Sequence, residues 1–302
     1  MRTLPLLRVC SLAAASLSLV LTVAPACFAQ QTSDKSSYIE LSWMRVRQDK
    51  LAEFGQLSAR VAEANRRGKG DHWVAYQDLY GTDNQVWMVS GRQSLADIEP
   101  GMTKFTGAIK EFMGYSPEHF FAEASKTVEA SGSQLWRHRF DLSWNVKDSA
   151  DWEGRLAKSH YIAVITLRVR PGRMVETEKQ IRTVADAVTA AKTETAGLVS
   201  QLIMGGDPGT FCVRIPLESV AGLEQMTSAR QALGEEGYRN YSEMSEKDFA
   251  SVEYKLKRIV PEWSSPPPSF IAANPTMWKV KAMAPAKPKP ASAEPKPAAS
   301  GG

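Results

Sequence analysis

Six polar and aromatic side chains carry the chemistry that this sequence offers for binding or catalysis. They are His72, Tyr76, Asp78, Tyr80, Trp87 and His138. The first four stand at even spacings in one predicted strand, so period-two alternation places them on one face. His138 stands on a later predicted strand, on the same face as Trp136 and Phe140. Aromatic walls with a few convergent polar groups are typical of a pocket for a small apolar or aromatic molecule.

A second interpretation of these six residues stays open. The aromatic rings would then be ordinary core, and the hydroxyl and imidazole groups would be satisfied by local hydrogen bonds. The two interpretations differ in which face of the predicted sheet is turned toward the helices. Alternation along a strand does not identify that face.

The chain lacks the short motifs of common catalytic and metal sites. It has no Gly-x-Ser-x-Gly elbow, phosphate-binding loop, dinucleotide fingerprint or His-Glu-x-x-His sequence. Its four histidines show no metal-ligand spacing, so we expect neither a metal nor a cofactor. Cys212 lies in a predicted buried strand, where a lone cysteine usually behaves as an inert apolar residue.

An internal repeat determines the domain organisation. Residues 38–47, YIELSWMRVR, align without gaps on residues 161–170, YIAVITLRVR, and five of the ten positions are identical. The offset of 123 residues between Tyr38 and Tyr161 continues with little drift through the segments that follow. We therefore predict two copies of one unit, at residues 38–144 and 161–264, joined by a polar connector at residues 145–160.

Each copy has the element order strand, helix, strand, strand, helix, strand. Apolar residues first alternate and then recur at helical spacing, and glycine-rich turns at residues 81–84 and 205–209 predict hairpins. The closing strands are predicted at residues 133–143 and 253–260. This βαββαβ order is the ferredoxin-like unit, whose sheet has helices on one face only. Because two copies can cover each other, we predict an α+β fold of two ferredoxin-like units packed sheet to sheet as an intrachain α/β barrel.

The second strands of the two copies differ most in residue type. Tyr76 and Asp78 of the first copy align with Ser200 and Leu202 of the second. A buried carboxylate is costly unless it is paired, so Asp78 must face solvent, a partner or a cavity. We expect that replacing Asp78 by leucine and Tyr76 by serine leaves folding intact or improves it and abolishes ligand binding.

The element order and the opening strand of each copy resemble the dimeric α/β-barrel superfamily. This group includes antibiotic-biosynthesis-monooxygenase-like, EthD-like and chlorite-dismutase-like proteins. The resemblance implies a cofactor-independent monooxygenase as an alternative function, with His72, Tyr76 and Asp78 orienting the substrate or accepting its proton. Some members bind haem through a histidine of the second copy, for which this chain offers only His160, directly before the first strand of that copy. We therefore expect no haem.

The two ends of the chain differ in composition from its body. Residues 1–29 combine Arg2 and Arg8, an apolar run of about 15 residues and small residues before Ala29, which is the pattern of a secretory signal. A membrane anchor is the alternative, but the run is shorter than the ~20 residues of a spanning helix. We expect cleavage after Ala29, a short N-terminal segment at residues 30–37 and a periplasmic or secreted protein. Residues 265–302, rich in Pro, Ala and Lys, predict a disordered tail.

Charge and repeat organisation limit the partners. The formal net charge is +4, but the leader contributes +2 and residues 279–302 contribute +4, which leaves about −2 for the body. That sign argues against nucleic-acid binding, which needs a concentrated basic face. No further apolar run is long enough to span a bilayer. Because each sheet has its partner within the chain, we expect a monomer, whereas single-copy relatives dimerise.

The sequence thus favours an exported small-molecule binding module whose enzymatic activity is an open question. The first alternative is the cofactor-independent monooxygenase implied by the resemblance. The second is an envelope structural or assembly protein that displays the tail. Ligand retained in the purified protein would separate binding from a structural role, and oxygen uptake with phenolic substrates would separate an enzyme from a binding protein.

Overall fold

A computed structural model describes residues 38–280 of the 302-residue chain. The predicted leader, the segment at residues 30–37 and residues 281–302 of the predicted tail lie outside the described residues. The first half contributes the strands β1 (Tyr38–Val46), β2 (Val74–Tyr80), β3 (Gln85–Arg92) and β4 (Val128–His138). The second half contributes β5 (Tyr161–Val169), β6 (Leu198–Met204), β7 (Thr210–Leu217) and β8 (Phe249–Ile259).

The described helices number eight and vary in length. They are α1 (Leu51–Arg67), α2 (Ile98–Met113), α3 (Pro117–Ser125), α4 (Ser149–Leu156), α5 (Met174–Ala190), α6 (Ala229–Asp248), α7 (Pro268–Ala273) and α8 (Pro275–Trp278). The first three pack on the outside of the first half, and α5 and α6 pack on the second. This arrangement is that of two ferredoxin-like units.

The eight strands form one closed antiparallel barrel in the order β1-β3-β2-β8-β5-β7-β6-β4. The halves meet at two seams. At one seam β2 pairs with β8, and at the other β4 pairs with β6. Closure satisfies the edge strands of both sheets. The predicted α+β class and the intrachain barrel of two ferredoxin-like units are confirmed, and the strand edges join by hydrogen bonds at the seams.

The wall of the barrel separates two apolar layers. Alternate residues of each strand point inward, where Ile39, Leu41, Ile162 and Val164 are buried. The residues between them point outward and are buried by the helices; Phe211 and Val213, for example, pack on the apolar stripe of α5. Both faces of the wall are therefore buried, which explains the apolar character of β5 and β7.

The disorder predicted for the start of the tail is wrong, because this segment contains two ordered helices, and the predicted connector contains a helix as well. Helix α4 lies within residues 145–160 and buries Trp152 and Leu156 against the barrel interior. Helices α7 and α8 lie within residues 265–280, and they bury Phe270 and Trp278, the latter only 1% exposed. Isolated apolar residues among prolines and charges were sufficient to order both segments. Together α4, α7 and α8 form a cap over one end of the barrel.

The last strand of each half is shifted toward the N-terminus relative to its predicted position. Strand β4 ends at His138 rather than at residue 143, because residues Phe140–Leu142 form a 3₁₀ turn. Strand β8 begins at Phe249, directly after α6. Among residues 38–280 no helix is long and apolar enough to cross a membrane.

Candidate functional site

The barrel encloses a cavity of about 500 Å³. All eight strands contribute to its wall, so it belongs to both halves rather than to the first alone. Apolar and aromatic side chains form much of that wall, among them Leu41, Trp87, Trp136, Val164 and Leu202. Trp152, Leu156 and Phe270 of the cap line the cavity at one end, and Arg168, Asp207 and Thr210 line it near the opposite end of the barrel.

Asp78 is paired across a seam. Its Oδ1 accepts hydrogen bonds from Lys257 Nζ at 2.6 Å and from Trp87 Nε1 at 2.8 Å. The side chains of Asp78 and Lys257 are 1% and 8% exposed. The ammonium group of Lys257 also lies 3.7 Å from the centroid of the Trp87 ring, a cation–π distance. Burial lowers the pKa of Lys257 to about 8, although Asp78 favours the charged form.

His138 is held by a hydroxyl on the other seam. His138 Nδ1 lies 2.9 Å from Ser200 Oγ, which also accepts a hydrogen bond of 2.8 Å from Arg214 Nη1. The Arg214 guanidinium carbon lies 5.3 Å from the centroid of the Trp136 ring. Burial, and then the positive charge of Arg214, lower the pKa of His138 to about 3. This imidazole is therefore neutral at pH 7.

Tyr76 lies on the cavity wall near this group. It is buried in the inner apolar layer, and its register partner on β8 is Ile259. Burial raises the pKa of Tyr76 well above its usual value, although the charge of Arg214 opposes this. The phenol is therefore a protonated hydrogen-bond donor at neutral pH.

The six residues predicted from the sequence do not form one cluster. Tyr76, Trp87 and His138 line the cavity, and His72 lies exposed at its rim, before β2 begins. Asp78 is bound to Lys257 and Trp87 and is not part of the cavity wall. Tyr80 is 71% exposed, because the pairing of β2 with β8 changes register between Asp78 and Tyr80. That irregularity ends the alternation on which its inward placement was predicted.

The expectation that Asp78 can be exchanged for its counterpart in the second copy also needs correction. The sequence showed that Asp78 required a partner, a cavity or solvent, and the structure identifies Lys257 as a partner. Replacing Asp78 alone would leave a buried ammonium group without a counter-ion. The exchange of Asp78 is therefore a test of stability rather than of binding.

Sequence reasoning missed the polar residues that the second half contributes. Lys257, Ser200 and Arg214 lie on β8, β6 and β7, the strands of the second half. Arg214 is a charged residue within an otherwise largely apolar strand, and this was the available signal. The pairs Asp78–Lys257 and His138–Ser200 form across the seams. They could not be predicted without knowing the strand registers there.

The two seams are related by the repeat, and equivalent positions carry different chemistry. Strand registers make Lys257 equivalent to Trp136 and Ile259 equivalent to His138. Asp78 faces Lys257 at one seam, whereas Leu202 is paired with Trp136 at the other. The cavity is thus asymmetric, with an ion pair near one seam and the Ser200–His138–Arg214 group at the other.

The residues do not fit the haem site that the resemblance would require. The candidate ligand, His160, is exposed at the start of β5 and does not line the cavity. The histidines that do line the cavity, His72 and His138, both come from the first half. Within residues 38–280 no three His, Cys, Asp or Glu side chains are grouped as metal ligands.

The closed barrel of two ferredoxin-like units is the fold that the resemblance to the dimeric α/β-barrel superfamily predicted. Solved structures with a similar fold share 9–12% sequence identity with the chain. At this identity the similarity concerns the fold alone. No family model and no curated protein matches the sequence.

Three solved structures illustrate the likeness. A candidate monooxygenase from Lactobacillus acidophilus is 9% identical, with 74% of this chain and 94% of that chain covered and a TM-score of 0.44. An anthrone oxidase-like protein is 10% identical, with 76% and 92% covered and a TM-score of 0.46. A mutant chlorite dismutase from Candidatus Nitrospira defluvii, in complex with cyanide, is 12% identical, with 77% and 93% covered and a TM-score of 0.45.

Proposed function

We propose that the protein binds a small, largely apolar or aromatic molecule inside the barrel. The observation that carries this proposal is the cavity of about 500 Å³ enclosed by all eight strands. Its volume falls within the range of roughly 300–1,000 Å³ that is usual for small-molecule sites. Trp87 and Trp136 lie on its wall, so flat rings would find aromatic surfaces from both halves. The leader predicted at residues 1–29 would place this binding outside the cytoplasm.

The polar groups of the site favour binding over proton transfer. His138, with its pKa lowered to about 3, is a weak proton acceptor at neutral pH. The raised pKa of Tyr76 keeps its phenol protonated. Asp78 Oδ1 accepts two hydrogen bonds from Lys257 and Trp87 and is held away from the cavity. These groups can orient a ligand, whereas the proton-accepting roles of Tyr76 and Asp78 implied by the resemblance to monooxygenases find little support in this geometry.

Binding of a neutral fluorescent probe, N-phenyl-1-naphthylamine, tests the proposal. We expect saturable fluorescence enhancement with one site per chain. Cys212 lines the cavity at the position that Trp87 occupies in the first half. Cys212→Trp should fill the cavity and weaken probe binding at least tenfold. Val175→Trp is the matched control, since it places the same side chain at a 79% exposed position of α5.

The outcomes separate the functions under consideration. Equal probe binding by the native protein, Cys212→Trp and Val175→Trp would place the probe outside the barrel and contradict the proposal, provided that circular dichroism shows all three folded. Mass spectrometry of the native purified protein identifies a retained ligand. Oxygen consumption with bound phenolic substrates would assign the protein to the oxygenase alternative.

A further inference from the structure

Arg214 is a buried cation that faces the barrel cavity. Its residue is 7% exposed, and it lies on β7 among the cavity-lining side chains. Arg214 Nη1 donates a hydrogen bond to Ser200 Oγ, and the guanidinium carbon lies 5.3 Å from the centroid of the Trp136 ring. A guanidinium group has five N–H donors, so most of its donor capacity is not used by Ser200.

Arg214 differs in its charge partners from the other basic residues on the cavity wall. Each of the others has a carboxylate within 4 Å: Arg92 with Asp71, Arg168 with Asp207, Lys255 with Glu253, and Lys257 with Asp78. No carboxylate among residues 38–280 lies within this distance of Arg214. Removing a cation from water without a counter-ion is strongly unfavourable, so such residues are usually paired or bind a ligand.

Glu153 is the remaining carboxylate on the cavity wall, and it does not neutralise Arg214. It lies on α4 in the cap, more than 4 Å from every basic group of the described chain. Burial raises the pKa of Glu153, which favours its uncharged form. Arg214 thus has no carboxylate partner within 4 Å on the cavity wall.

The groups beside Arg214 are also hydrogen-bond donors. Arg214 donates to Ser200 Oγ, and we assign the hydroxyl proton of Ser200 to the bond with His138 Nδ1. The neutral imidazole then carries its proton on Nε2. The Tyr76 hydroxyl has no acceptor among the described residues, and its phenol lines the same cavity. Arg214, His138 and Tyr76 therefore each bring an N–H or O–H donor to the cavity wall. These remaining donors have no acceptor among the described residues.

From this arrangement we infer that the natural ligand is an aromatic or apolar acid whose single carboxylate binds to Arg214. The guanidinium would form the charged hydrogen bonds, while His138 and Tyr76 would donate to the same carboxylate or to its neighbouring oxygen substituent. The apolar part of the ligand would extend along Trp136 and the rest of the wall. This inference rests on the proposed function, and it adds the chemical class of the ligand.

The repeat provides a suitable variant to test it. In the first half the position equivalent to Arg214 is Val89, which lies on the same cavity wall. Arg214→Val therefore places at this position the residue that the first half already accommodates. It should preserve or raise the melting temperature, because it removes an unpaired buried charge. Arg214→Met, which keeps an unbranched side chain, is the second variant if the valine chain folds poorly.

The test compares 2-naphthoate with 2-naphthamide, which share a ring system and differ in charge. In isothermal titration calorimetry at pH 7.5, the native protein should bind the carboxylate at least tenfold more tightly than the amide. Arg214→Val should reduce this ratio to about one, and Arg214→Lys should retain part of it. Arg214→Val should weaken binding of 2-naphthoate at least tenfold more than it weakens binding of N-phenyl-1-naphthylamine, because this probe carries no charge.

The results distinguish this inference from the proposed function. If the neutral probe binds in the cavity but the native protein binds acid and amide equally, or binds neither, the inference about the acid is wrong and cavity binding stands. The same conclusion follows if Arg214→Val keeps the full preference for the acid. If the neutral probe does not bind while the acid binds through Arg214, the site selects anions and the apolar binding function is wrong.

Discussion

Lys257 Nζ lies 2.6 Å from Asp78 Oδ1, and this ion pair joins β8 of the second half to β2 of the first. At the other seam the equivalent positions hold Trp136 and Leu202, which are paired in register and contain no charge. At these equivalent positions one seam thus has a buried charge pair, whereas the other has an apolar contact. Equivalent positions of the two repeats therefore contribute different interactions to barrel closure.

The ion pair leads to a prediction about stability. Asp78→Leu leaves the Lys257 ammonium buried without its partner, and we expect it to lower the free energy of unfolding by about 3–5 kcal/mol. The double variant Asp78→Leu/Lys257→Met removes both charges and should recover most of this loss. Urea unfolding followed by circular dichroism measures both. A stable single variant, or a double variant as unstable as the single one, would show that the pair contributes little.

The neutral state of His138 predicts destabilisation by acid. Its pKa in the folded protein is about 3, below the ordinary value of about 6.5 expected when the chain is unfolded. Between these values the unfolded chain binds the proton more readily, so stability falls as the pH decreases from 7 toward 3. From pH 7 to pH 5 this residue should lower the free energy of unfolding by about 2 kcal/mol.

The control for that prediction is His138→Ile, which introduces the residue found at the equivalent position of β8, Ile259. Urea unfolding at pH 7 and pH 5 should show a smaller acid-induced loss in His138→Ile than in the native protein, by about 2 kcal/mol. If both proteins lose the same stability, then His138 is not kept neutral by the fold.

The cap predicts that helices α7 and α8 contribute to the stability of the fold, whereas residues 281–302 do not. Trp278 is 1% exposed and donates a hydrogen bond of 2.7 Å from its Nε1 to the carbonyl oxygen of Ala157. Trp278→Ala should therefore lower the free energy of unfolding by about 3–5 kcal/mol. Deleting residues 281–302, whose composition predicts no buried surface, should leave the melting temperature unchanged. A large decrease on that deletion, or none for Trp278→Ala, would contradict this division.

The closed barrel predicts a monomer. Both seams, β2 with β8 and β4 with β6, are formed within one chain, so no strand edge of the barrel is left for a second copy. Multi-angle light scattering of the purified protein across a hundredfold range of concentration should give the monomer mass. An obligate dimer would require an interface on the helices or the cap.

Much of the fold could be predicted from the sequence because its signals are local or repeated. Alternation predicted most strands, and the offset between Tyr38 and Tyr161 predicted two equivalent units that could close a barrel. The hairpin turns were identified by their glycines, and Gly205 does adopt a positive φ of 84°. The cap was missed because its buried residues, such as Trp152 and Trp278, are too few and too widely spaced to form a periodic pattern.

The site depended on tertiary structure to a greater extent. The sequence alone determined that Asp78 and Tyr76 differ in kind from Leu202 and Ser200, and that a buried carboxylate needs a partner. Only the barrel decided that the partner is Lys257, about 180 residues away, because the register at a seam between two units is not encoded in either strand by itself. The same closure brought Arg214 and Ser200 of the second half beside His138 of the first. A cavity formed between two repeats takes its chemistry from pairings across the seams, and those exist only in the folded chain.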